Sequence, residues 1–179
     1  GVVLAAEGWH PGVIGIVASR VVERIHRPTV LVALDGARGR GSARSIPGFD
    51  LHGAVEACAP HLERFGGHAQ AAGMDLRREN VDAFRKAFAR VAAERLEGSE
   101  LLSPRLRIDV ELPLAELDLE LADVMEHLAP HGIGNPRPVI LARGVRVDGA
   151  PRTVGKGHLK LRLADADAVG VDVSGRELI

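Results

Sequence analysis

The sequence has no tyrosine, a single tryptophan (Trp9) and four phenylalanines, the last of which is Phe88. Everything after that residue lacks Phe, Tyr and Trp. Single-strand nucleic-acid binders usually stack bases on such rings. Any nucleic acid held by the C-terminal half must therefore be held through basic side chains and backbone, with little sequence preference and steep salt dependence. Cys58 is the only cysteine, which excludes an internal disulfide and a cysteine metal cluster. No apolar run approaches the roughly 18–20 residues that span a bilayer, and no signal-peptide pattern opens the chain. A cytoplasmic protein is the simplest reading. No metal-ligand spacing joins the scattered histidines to carboxylates. Neither a P-loop nor a Rossmann glycine pattern is present.

What is there is a balanced globular composition, 46% hydrophobic and 26% charged, which argues against disorder. The net charge of −1 argues at first against a nucleic-acid partner, but it hides a segregation. From Asp109 to Glu126 every charged residue is acidic. From Arg137 to Arg162 all are basic except Asp148: Arg137, Arg143, Arg146, Arg152, Lys156, Lys160 and Arg162. Such a segment either tracks a phosphate backbone or pairs with the acidic one.

The first half alternates strand and helix signals. Residues 2–7 and the β-branched 29–34 read as strands. Residues 12–26 read as an amphipathic helix, with Val13, Ile16, Val17, Val21 and Ile25 on its apolar side and Pro28 as its stop. The Asp-Gly at 35–36 predicts a turn into a third strand. Asp50 suits the N-cap of a helix over 50–62. Residues 79–96 form a strong helix with Val81, Phe84, Phe88 and Val91 on one face. This is an α/β pattern. Residues 97–104 read as a linker. Beyond them come short strands at 106–112, 138–147, 158–163 and 168–173 with one helix at 119–128, the texture of a small β-rich, OB-like domain. The expected domains are 1–98 and 104–179. The opening Gly-Val-Val-Leu, already strand-like, suggests a piece of a longer protein.

Three stretches could carry chemistry. In "GRGSARS" (39–45), glycines admit close backbone approach, Ser42 and Ser45 offer donors, and Arg40 and Arg44 offer guanidinium forks suited to phosphate oxygens. An extended backbone puts Ser42 and Arg44 on one face. A hairpin with exposed arginines would give the same pattern. "GWHPGVIGIVASR" (8–20) feeds a loop into a helix N-terminus, which favours anions, although a packing tryptophan and a surface histidine explain Trp9 and His10 equally. In "RFGGHAQAAGM" (64–74), Gly66 and Gly67 precede His68, a side chain able to bind phosphate, act as an acid or base, or ligate a metal. A bystander imidazole at a tight turn is the alternative.

Taken in order, "GWHPGVIGIVASRVVER…RPTVLV", "GRGSARSIPGFDL", "FGGHAQAAGM" and "LAPHGIGNPRPV…VGKGHLKL" resemble the RecJ family of single-strand-specific exonucleases, over residues 1 to about 163. The resemblance implies a DHHA1 domain followed by an OB-like domain, the latter matching least well at its end and expected to be partial. It implies degradation of single-stranded DNA from the 5′ end with manganese or magnesium. Those ions would sit on a DHH domain expected upstream of Gly1, with no metal in this chain. Ser42 and Arg44 correspond to the family's phosphate-contacting Ser-x-Arg pair, with Arg40 and Ser45 beside them. Gly66, Gly67 and His68 correspond to the motif facing the scissile phosphate, with His68 the catalytic member. Arg137, Arg143, Lys156 and Lys160 are further candidates for contact with the DNA backbone. The family also implies a single-stranded-DNA-binding protein and a helicase as partners, and roles in repair and recombination. The family often has Phe where this chain has His131. Two rivals stay open: a DHH-family phosphodiesterase acting on oligonucleotides or cyclic dinucleotides, which would lack the "GIGNPRP…HLKL" stretch, and a nucleic-acid-binding module without catalysis, of the kind attached to alanyl-tRNA synthetase.

Overall fold

The computed structural model describes residues 1–132, 134–155 and 157–165, which divide into a unit from Gly1 to Arg105 and a unit that begins at Leu106. The first unit is built on a five-stranded sheet. Strands β1 (Val2–Glu7), β2 (Thr29–Asp35), β3 (Arg38–Arg44), β4 (Arg64–His68) and β5 (Ala71–Arg77) lie in the order β1-β2-β3-β5-β4. β1 and β2 are parallel, joined through helix α1 (Ile14–Ile25), and the other pairs are antiparallel. Helices α2 (Leu51–Glu56) and α3 (Val81–Leu96) pack on the opposite face from α1.

The main core lies under α2 and α3. Val30, Val32, Ala43, Met74 and Leu76 from the sheet meet Leu51 and Val55 of α2 and Val81, Phe84, Phe88, Ala92 and Leu96 of α3. The Phe84 and Phe88 rings stack with centroids 5.9 Å apart, a contact favoured beyond simple area burial. Asp50 caps α2, its carboxylate accepting from the Gly53 N–H at 3.1 Å. Cys58 is fully buried, and burial pushes its thiol up from the ordinary value, so it packs as a small apolar side chain.

Two expectations fail here. The apolar side of α1 read from sequence is not the buried one. Ile14, Ala18 and Val22 face the sheet, while Val13, Ile16, Val17 and Ile25 are exposed and Val21 is half-buried. The reason lies in the surface beneath. A Cβ on Gly15 would come within 2.8 Å of Arg44 Nη2 and 3.1 Å of Ser42 Oγ, so this end of α1 must present a bare backbone to β3. The stripe that contains Gly15 and Ala18 allows that approach, and the bulkier stripe does not. Residues 97–104 are likewise no free linker. A short 3-10 turn, Glu100–Leu102, packs Leu101 and Leu102 against the core. His26 Nε2 lies 3.0 Å from the Leu101 carbonyl, and Arg27 donates to the Leu102 carbonyl at 3.1 Å. His26, left-handed at φ 50°, also ends α1, two residues before Pro28.

In the second unit, α4 (Leu119–Glu126) is capped by Asp118, which accepts from the Leu121 N–H at 2.8 Å. The described strands are shorter than the sequence suggests. They are β6 (Val110–Glu111), β7 (Ile140–Leu141), β8 (Val145–Val147), β9 (Arg152–Val154), β10 (His158–Lys160) and β11 (Leu163–Asp165), paired as β6–β7, β8–β11 and β9–β10. The run 138–147 is broken at Gly144, whose φ of 64° suits a turn. The expected strand at 168–173 lies outside the described residues. His131 is half-buried, and among the described residues its Nδ1 has no hydrogen-bond partner. Asn135 ties the same loop by donating to the Leu128 and Pro130 carbonyls.

The reversed stripe of α1 gives a direct test. Ile14 is 3% exposed and Ile16 is 65% exposed. Ile14→Ala is expected to cost about 2–5 kcal/mol in urea unfolding, and Ile16→Ala to stay within about 0.5 kcal/mol of the parent.

Candidate nucleic-acid interface

Side chains alternate along a strand, so the pairing registers decide which residues share a surface. Three rows run across β2, β3, β5 and β4 on the α1 side of the sheet: Thr29, Arg44, Ala71, His68; then Leu31, Ser42, Gly73, Gly66; then Ala33, Arg40, Asp75, Arg64. Ser42, Arg44, Arg40, Gly66 and His68, five of the residues singled out in the sequence, thus lie on one surface. α1 covers β2 and β3 on this side, while Gly66, Gly73, Arg64 and His68 are exposed.

The centre of this surface is a bare floor. A Cβ on Gly66 would meet nothing within 4 Å, and one on Gly73 only the Gly41 carbonyl at 4.0 Å. In the adjoining row Arg44 and His68 stand on either side of Ala71, two strands or about 10 Å apart. Arg44 donates to Ser42 Oγ at 3.1 Å and to the Ala43 carbonyl at 2.8 Å, which fixes its guanidinium beside the first turn of α1. His68 opens the two-residue turn Ala69–Gln70 between β4 and β5. Its Nδ1 accepts from the Gln70 N–H at 3.3 Å. In the neutral ring that bond assigns the proton to Nε2, leaving a donor for an external acceptor. Asp75 pairs with Arg64, and among the described residues Arg40 makes no ion pair. The floor is thus rimmed by Arg44, Arg40, Arg64 and His68 against one partnered carboxylate, an arrangement suited to an anion with several oxygens.

Two of the sequence-read residues belong elsewhere. Ser45 lies past the end of β3 and is used internally: its hydroxyl donates to the Phe49 carbonyl at 2.8 Å and its N–H to the Gln70 carbonyl at 3.0 Å. It braces the hairpin. Gly67 points to the core side, in register with Ala72. Its φ is 149°, and a Cβ there would collide with the Ala71 carbonyl and the Ala72 backbone. Glycine at this position is required by the hairpin, whereas at Gly66 it leaves an open surface. Gly73, Arg64 and Gly15 escaped the sequence reading. Gly73 was legible, since a two-residue turn after His68 pairs it with Gly66.

In the second unit, Arg137 is exposed, and Arg143 donates to Glu111 at 3.0 Å. Arg146 lies 3.6 Å from Asp148. The basic segment is therefore partly paired with carboxylates, Glu111 from the acidic segment and Asp148 from within the basic one. Such exposed pairs are worth only about 0–1 kcal/mol and yield readily to a competing anion. Lys160 lies directly opposite Arg152 across the β9–β10 pair. Lys156 lies outside the described residues. Among the described residues, no group of three or more His, Cys, Asp or Glu could hold a metal ion, and no helix is long and apolar enough to cross a membrane.

Residues 1–94 match the DHHA1 domain, and residues 108–175 match the RecJ OB domain. The chain belongs to the RecJ family. It is 36% identical over 176 residues to the single-stranded-DNA-specific exonuclease RecJ of Bacillus subtilis (strain 168), covering 94% of this chain and 22% of that protein. With the RecJ of Dickeya dadantii (strain 3937) the identity is 40% over 158 residues, covering 86% and 27%. The crystal structure of RecJ with Mg2+ from Thermus thermophilus superposes with a TM-score of 0.75 at 32% identity, covering 90% of this chain and 25% of that one; a second from the same source contains Mn2+. The chain spans about a quarter of the length of the relatives it matches.

The two adjacent glycines make a paired test by chemical denaturation. Gly66→Ala should change stability by less than about 0.5 kcal/mol. Gly67→Ala should lower it by more than about 1 kcal/mol, because alanine tolerates neither the positive φ nor the collision.

Proposed function

We propose that this chain is the substrate-gripping portion of a cytoplasmic exonuclease that removes nucleotides from the 5′ end of single-stranded DNA in repair and recombination. The observation that carries the reading is the glycine floor of Gly66 and Gly73 beside Ser42, with Arg44 and His68 in the adjoining row of the same sheet face. A phosphate resting on Gly66 and Gly73 would accept from Arg44 and Ser42 on one side and from His68 Nε2 on the other. Donors held in advance around a phosphoryl group stabilise the charge that develops as its bond breaks. The names of the relatives supply the substrate, single-stranded DNA.

Divalent metal would activate the attacking water. By the resemblance, the metal is expected on the DHH domain, in parts of the family protein that this chain does not span. The isolated chain then binds and does not cut. A single-stranded-DNA-binding protein and a helicase are the partners that such an enzyme would meet. A DHH-family phosphodiesterase for short oligonucleotides or cyclic dinucleotides is less well supported, because the match to the RecJ OB domain extends over 108–175.

Binding of this chain to labelled single-stranded and duplex DNA across a salt series tests the reading. Preference for the single strand, with affinity falling steeply as salt rises and no shortening in magnesium or manganese, is expected. Metal-dependent shortening by the chain alone would overturn the division of labour. Arg44→Ala should weaken binding about tenfold through the loss of charge-assisted hydrogen bonds. In the enzyme rebuilt with its DHH domain, His68→Ala should leave the fold intact and remove most cleavage; full activity would exclude His68 from the chemistry.

A further inference from the structure

Trp9 is 37% exposed, an unusual position for a side chain that is highly buried on average. With His10, Pro11, Arg40, Arg64 and Asp75 it lines an open cleft of about 800 Å³. The volume is within the range of small-molecule pockets. A second hollow of about 290 Å³ shares Arg40, Arg64 and Asp75 with this cleft and includes Gly66 and Gly73. The phosphate floor and the Trp9 cleft therefore adjoin through the same three side chains. Along β3 the step from Ser42 to Arg40 is two residues on one face, about 6.7 Å.

We infer that the Trp9 cleft receives the base of the nucleotide adjoining the gripped phosphate, with the indole as its stacking face. The inference rests on the phosphate-gripping reading and extends it to the base. Stacking accepts any base, because each has a π face. Arg40, on the floor side of the cleft, would hold the intervening backbone. The sequence makes the question directly measurable. With no tyrosine and one tryptophan in the chain, the indole emission reports Trp9 alone.

The test titrates the 179-residue chain with a short oligothymidylate and with an abasic oligonucleotide of equal length. Tryptophan emission is followed alongside the anisotropy of a label on the DNA. Oligothymidylate should bind and quench the emission, and the abasic strand should bind through its phosphates without quenching. Trp9→Ala should weaken oligothymidylate about tenfold, within the range found for loss of one stacked base, and leave the abasic affinity unchanged. That unchanged affinity shows that the variant is folded. Trp9→Phe should keep most of the affinity. Bound oligothymidylate with unaltered emission, or an equal loss of both strands in Trp9→Ala, would overturn the inference while leaving the phosphate site standing. Absence of binding by either strand to the parent chain would instead remove the phosphate reading, and this one with it.

Discussion

The register of the β3–β5–β4 ladder is the constraint on which the first unit depends. Core residues and candidate phosphate contacts alternate along the same three strands. Val30, Ala43, Ala72 and Gly67 share one row, and Thr29, Arg44, Ala71 and His68 the next. A slip of one residue would bring arginines into the hydrophobic core and put Met74 and Ala43 on the exposed face. Burial of the core therefore sets the geometry of the polar surface. The two-residue turn at Ala69–Gln70 fixes the same register locally, and the bond from Ser45 N–H to the Gln70 carbonyl ties that turn to the end of β3.

Much of this was legible because strand alternation is a strict rule. An extended reading of "GRGSARS" suffices to place Ser42 and Arg44 together, and the structure keeps them so. Alternation already sets Ser45 on the face opposite Ser42 and Arg44, and in the structure it lies just past the end of β3, where the chain turns and its hydroxyl braces the loop around Phe49. The two glycines before His68 look equivalent in sequence. They differ only in which side of the sheet a Cβ would occupy and in φ, neither of which the residue type reveals. The helix at 12–26 was found, but not its orientation. Hydrophobicity alone selects the stripe containing Ile16 and Val17, whereas contact with Ser42 and Arg44 selects the stripe with the smallest side chains.

The second unit was less legible. Its strands are only two or three residues long, too short for a periodic pattern to declare their ends. The strand Arg152–Val154 passed unnoticed between turn signals, and the apparent ten-residue strand over 138–147 is two short strands separated by residues 142–144. Family membership identifies this unit where periodicity does not. Its charge segregation was plain in the sequence, yet the pairing of Arg143 with Glu111 depends on a parallel pairing between β6 and β7, segments about thirty residues apart.

The hairpin from Arg64 to Arg77 also divides the surface by the sequence separation of its contacts. Its two strands close over a turn of two residues, and such hairpins form on a scale of about 1–10 μs. Gly66, Gly73 and His68 thus come together through contacts near in sequence. Ser42 and Arg44 join them only when β3 pairs with β5, which closes a loop through α2 at a greater entropic cost. The histidine half of the surface is a local product of the chain, and the arginine half arrives with the tertiary fold.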